Sequence, residues 1–174
     1  RIIDATIALA EKEPLEPDSI ERITAHIGKV QTDMVRHLRP KTGLQGKFSF
    51  EFAIACSIIK KRVGLRELTD ELVNRDDIQK IIACVERVVT EEYDPKMENY
   101  PHHDHIEVFL KDGRKIKSDK VARAKGHADN PINTEELWDK FDDCLSGAYD
   151  AEQRRALFNK LQAIEDLPSA AALY

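Results

Sequence analysis

Residues 49–59 constrain the fold of this chain more than any other stretch. Ser49 is a candidate helix N-cap, its hydroxyl free to accept a bond from an orphan amide of the first turn. Glu51 falls in that turn, where a carboxylate suits the positive end of the helix dipole. Phe52, Ala53, Ile54, Ala55, Cys56, Ile58 and Ile59 then make the helix apolar nearly all round. A helix of that kind must be covered on several sides, so the rest of the chain has to supply layers around it. Lys47 and Phe48 stand at its mouth. A lysine beside aromatic rings at a helix entry is either a site wall or an ordinary solvated lysine.

The covering layers are legible as periodicity. Ile2, Ile3, Thr6, Leu9 and Ala10 recur at helical spacing over 2–12, and Pro14 and Pro17 end that helix in a turn. Ile23, Ala25 and Ile27 alternate strictly within 20–30, which predicts a strand. Residues 31–46 are polar and contain Pro40 and Gly43, which predicts a loop leading to a buried helix over 50–62, broken at Gly64. Two short helices are expected over 66–73 and 76–84, then a strand through Val85, Arg87 and Val89. Residues 93–103 read as a loop. Ile106, Val108 and Leu110 alternate, Asp112-Gly113 is a tight-turn pair, and 115–121 returns as the second arm of a hairpin. Asn133 with Glu136 has the form of a capping box ahead of Leu137, Trp138, Phe141 and Leu145. Asp150 with Gln153 starts a last helix over 151–165, with Leu157, Leu161 and Ile164 inward.

These elements define an α+β fold: a small antiparallel or mixed sheet of about four strands packed with helices, followed by two C-terminal helices. The hydrophobic fraction of 41% suffices for a core, and the net charge of -5 gives no reason to expect nucleic acid or an acidic membrane surface. No apolar run approaches the roughly 20 residues that span a bilayer. Cys56, Cys84 and Cys144 are widely spaced and match no zinc pattern, so reduced thiols in a cytoplasmic protein are the simple expectation. Arg1-Ile2-Ile3-Asp4-Ala5 already reads as helix interior without an initiator Met, so a piece of a longer chain is expected.

Several segments carry a family resemblance. Gly46-Lys47-Phe48-Ser49-Phe50-Glu51-Phe52-Ala53-Ile54-Ala55 resembles the Lys-Phe-Ser-x-x-Tyr/Phe-x-x-Ala segment of the MmgE/PrpD family. That family includes 2-methylcitrate dehydratases, cis-aconitate decarboxylases and iminodisuccinate epimerases. In the family's order, Ile3-Asp4-Ala5 resembles its Ile-Asp-Ala helix and Leu110-Lys111-Asp112-Gly113 its Leu-x-Asp-Gly hairpin. Gly126 to Pro131, Glu135-Glu136-Leu137 and Lys140-Phe141 resemble its Gly-x-x-x-x-Pro…Glu-Glu-Leu-x-x-Lys-Phe signature.

The resemblance implies a C-terminal α+β domain over 1–130. It also implies closing helices over 131–174 that pack on an N-terminal helical domain of the same polypeptide, a surface that Trp138 and Phe141 would then need. It implies a lyase or isomerase, with a dehydratase expected first and an epimerase or decarboxylase as alternatives, acting on a small di- or tricarboxylate as a homodimer. Neither cofactor nor metal is expected. The main acid and base groups would lie outside this chain, and Lys47, Phe52 and Lys41 would be its substrate-binding residues. Phe52 stands where some relatives carry tyrosine; without a hydroxyl it cannot give the proton or hydrogen bond proposed there in the decarboxylases.

Independently of the resemblance, Arg36, His37, Arg39, Lys41 and Lys47 surround the loop before the buried helix, a plausible carboxylate anchor or a solvated loop of mixed charge. The run His102-His103-Asp104-His105 invites a metal, but four consecutive polar residues with no distant partner of obvious spacing read as a solvated loop edge. A function from another class also fits the residues: a non-catalytic α+β binding or dimerisation module.

Overall fold

The computed structural model of the chain describes residues 1–97, 100–169 and 171. It divides into two compact units, Arg1–Asn130 and the chain from Pro131 on.

The first unit is built on a four-stranded mixed sheet in the order β2-β1-β3-β4. Strand β1 (Ile20–Gly28) lies in the middle, parallel to β2 (Val85–Thr90) and antiparallel to β3 (His105–Leu110), which pairs antiparallel with β4 (Lys115–Lys117). Alternation along β1 and β3 sends Ile23, Ala25, Ile27, Ile106, Val108 and Leu110 to one face, where all six are buried. Helices α1 (Ile2–Lys12), α4 (Phe50–Lys60) and α6 (Asp76–Cys84) supply the rest of that core. The register places Thr24 and His26 on the opposite face, against Glu107 and His105. The hairpin turns at Gly113, whose φ of 89° suits glycine.

Helix α4 has the expected cap: the Ser49 hydroxyl accepts from the Phe52 amide at 3.2 Å. It ends at Lys61, which adopts the left-handed conformation, rather than at Gly64. Gly64 instead opens a short 3-10 turn, Leu65–Glu67, ahead of α5 (Asp70–Val73).

Three expectations are corrected. The polar stretch 31–46 is not a plain loop, because α2 (Lys29–Met34) and α3 (Gly43–Lys47) occupy much of it. Both are too short to be stable alone and depend on tertiary bonds. Arg87 donates to the Thr32 and Val35 carbonyls at the end of α2, and the Gly43 amide of α3 donates to Asp70 at 2.7 Å. Second, the run His102–His105 is no solvated edge: His103, Asp104 and His105 are buried, and only His102 is exposed. Asp104 takes a two-pronged pair from Arg1, and His105 stacks on His26. Third, β2 alternates only in part, since Val85 is buried while Val88 and Val89 are exposed on this edge strand.

The second unit contains α7 (Thr134–Leu145) and α8 (Ala151–Gln162), each opened by its capping box, Asn133 with Glu136 and Asp150 with Gln153. Trp138 and Phe141 find a partner within the unit: the Phe158 ring lies 5.3 Å from each, edge-on. Arg155 covers the Trp138 ring at 3.3 Å. Phe158 is the buried residue of α8, whereas Leu161 and Ile164, expected inward, are exposed.

Candidate substrate site

The first unit has two features near the start of α4, a cavity that Phe50 lines and a cationic loop that leads into the helix. The cavity has a volume of about 480 Å³. Its walls come from the start of α1 (Ile2, Ile3), from Gln31 of α2, from Phe50 at the first position of α4, and from the loops carrying Tyr100 and Ala122. Its ionic groups are matched to one another. The Arg1 guanidinium donates to both Asp104 oxygens at 2.9 and 3.0 Å and to the Pro101 carbonyl at 2.8 Å. Arg123 pairs with Asp94 at 2.6 Å. The Lys96 amide first, and Arg123 second, hold the Asp94 carboxyl below the usual carboxylate range. Burial pushes Asp104 above it, outweighing the pull of Arg1.

The loop between α2 and α4 behaves differently. Its backbone is fixed at many points. The His37 amide donates to the Phe48 carbonyl at 3.1 Å. Asn74 and Gln79 donate to the Lys41 and Pro40 carbonyls. Thr42 caps α3 by accepting from the Gln45 amide at 3.2 Å. Close packing needs glycine at Gly43, where a Cβ would come 2.1 Å from the Leu68 carbonyl oxygen.

On this fixed backbone stand Arg36, His37, Arg39, Lys41 and Lys47. Among the described residues none of the five forms an ion pair with a carboxylate. Arg39 donates to the Ile82 carbonyl, Lys41 reaches only the Gln79 amide oxygen at 3.4 Å, and Lys47 lies 5.7 Å from the Phe48 ring centre. Most cations elsewhere in the unit do have a carboxylate: Arg1, Lys12, Lys29, Arg75, Lys80, Arg87, Arg123.

Of the residues expected to bind substrate, Lys41 and Lys47 are both exposed on this loop. Phe52 is fully buried in the core. None of the three lines the cavity; Phe50, two residues before Phe52, does. Sequence reasoning missed the group that ties the segment together. Arg87 of β2 donates to both oxygens of Glu51 at 2.7 and 2.8 Å, beneath the Phe50 ring at 5.2 Å. An arginine in an otherwise apolar alternation was the available signal, because a charge pointed at a core requires a buried partner.

Fold and site together define an α+β domain with a cavity and a cationic loop. The family model for the MmgE/PrpD C-terminal domain matches residues 1–164, and the chain belongs to that family, which is generally enzymatic. Comparison with curated proteins returned no match. No helix among the described residues is long and apolar enough to cross a membrane.

Proposed function

We propose that this domain is the substrate-anchoring part of a lyase that abstracts a proton next to a carboxylate of a small di- or tricarboxylate and expels water, as a 2-methylcitrate dehydratase does. The general acid and base belong to an N-terminal helical domain of the same polypeptide, and the enzyme works as a homodimer in the cytoplasm, a compartment that suits three free thiols. The observation that carries the reading is the loop with four cationic side chains, Arg36, Arg39, Lys41 and Lys47, and no internal carboxylate partner among the described residues, its backbone held beside the start of α4. Cations displayed on a held backbone bind carboxylates. They also stabilise the enolate-like charge that develops when the neighbouring C–H is broken.

Lys47→Ala in the full-length enzyme tests it. Losing one hydrogen bond to a charged group costs roughly 1.5–3 kcal/mol, or about one to two orders of magnitude in kcat/KM. The urea midpoint should not move, since Lys47 is exposed and pairs with no carboxylate among the described residues. An unchanged kcat/KM would return Lys47 to the status of a solvated helix-entry residue. Product analysis by NMR on citrate, 2-methylcitrate and cis-aconitate separates dehydration from decarboxylation and epimerisation.

A further inference from the structure

On the sheet face opposite Ile23, Ala25 and Ile27, β1 and β3 set His26 directly opposite His105, with Glu107 two residues further along β3. We propose that His26, His105 and Glu107 form a binding site for a divalent transition-metal ion of borderline softness, typified by zinc, that clasps β1 to β3.

Three observations lead there. Directly opposed residues on antiparallel strands have their Cβ atoms close enough for both imidazoles to reach one ion, and Glu107 projects from the same face. One potential ligand atom from each of the three lies within 4.8 Å of the others, and His26 Nε2 is 3.7 Å from a Glu107 oxygen. Independently, the nitrogens are unsatisfied. His26 Nε2 and His105 Nδ1 are buried and have no hydrogen-bond partner, and His105 as a residue is only 6% exposed. Buried polar atoms are nearly always paired, and a metal would satisfy both at once.

Two imidazoles and a carboxylate match the donor preferences of zinc and leave a fourth position for water. The site is not closed as it stands. The two rings are stacked 4.2 Å apart and 5° from parallel, so their lone pairs do not meet at one point. The more exposed ring, His26, must turn out of the stack on binding. Glu107 also accepts from Lys115 at 3.0 Å and Lys117 at 3.3 Å, but its two oxygens have lone pairs to spare. The lysines temper the affinity without blocking the carboxylate. A neighbouring trio, Glu92, His102 and His103, is the natural control, since two of its members are exposed.

The test is a titration of metal-free chain with zinc against a chromophoric chelator, repeated with cobalt to read coordination from its visible absorption. One equivalent should bind. His26→Asn and Glu107→Gln should each weaken binding by at least about tenfold, as loss of a ligand does, and His102→Ala should leave it unchanged. Circular dichroism and the urea midpoint verify that each variant folds; if His26→Asn does not, Glu107→Gln, which keeps the shape of the side chain, carries the comparison. No uptake in a large excess of zinc, or uptake lost with His102→Ala and kept with His26→Asn and Glu107→Gln, overturns the proposal. The readout is metal binding alone and does not depend on the enzymatic reading above.

Discussion

Replacing Arg87 by methionine should be among the most destabilising single changes in the first unit. The Glu51 side chain is 2% exposed and that of Arg87 10%. Besides Arg87, Glu51 has the Ser49 hydroxyl, donating at 3.2 Å. Methionine fills the volume of the arginine stem but leaves the carboxylate charged and buried against a serine. Breaking a buried pair by removing one partner costs about 3–5 kcal/mol, a large share of the roughly 5–15 kcal/mol that holds a domain together. The Thr32 and Val35 carbonyls lose their donor in the same step. The pair itself should contribute far less than this, because both ions were desolvated to form it. The double variant Glu51→Met/Arg87→Met should therefore lie within about 1 kcal/mol of the native chain, and the two single changes should couple by at least about 2–4 kcal/mol. Urea unfolding followed by circular dichroism measures all four proteins, with an unchanged m value confirming that only stability moved. A loss below about 1 kcal/mol for Arg87→Met, or additive single effects, would refute the view of Glu51 as a buried charge that depends on this arginine.

Two further outcomes follow from burial. Phe52→Tyr places a hydroxyl in a fully buried position, where the ring already faces Gly46, so thermal unfolding should show a loss of roughly 1–3 kcal/mol; an unchanged Tm would mean the core holds a partner for that oxygen. Cys56 is buried, its thiol donates to the Arg62 carbonyl at 3.1 Å, and desolvation pushes its pKa up to about 12. At pH 8 a disulfide reagent should therefore label the exposed Cys144 and half-buried Cys84 quickly and Cys56 only as the chain unfolds; three equal rates would contradict the buried, protonated state.

What was legible in the sequence was what local chemistry decides. Ser49, Asn133 and Asp150 announce their helices because a cap is a contact between residues three apart. Asp112-Gly113 announces the hairpin, and Ile106, Val108 and Leu110 give its inward face. What was not legible depended on distant partners. Helices α2 and α3 exist because Arg87 and Asp70, far along the chain, take up their backbone groups. Asp104 is buried because Arg1 reaches it from the other end of the unit, so a run of polar residues was read as solvated when it was paired. At the candidate site, the sequence did not give the rotation of α4. Two residues are about 200° apart around a helix, enough to put Phe50 on a cavity wall and Phe52 in the core. In α8 the same ambiguity favoured Leu161 and Ile164, while Phe158 took the inward position opposite Trp138 and Phe141.

The central place of β1 has a kinetic consequence. The β3–β4 hairpin can close as soon as its turn forms, because Val108 and Ile116 are near neighbours in the chain. The pairing of Ile23 with Val85 must wait until the whole crossover, α2 through α6, has been wound and brought back. Strand β2 joins through this long crossover and has a neighbour on one side only, so few contacts hold it once it is in place. Arg87 is the bolt on that strand. In a chevron plot its loss should appear on the unfolding limb, with the refolding limb nearly unmoved. The cationic loop sits inside the same crossover, so a carboxylate that bridges its lysines and arginines would slow the departure of β2 and lengthen the lifetime of the folded state.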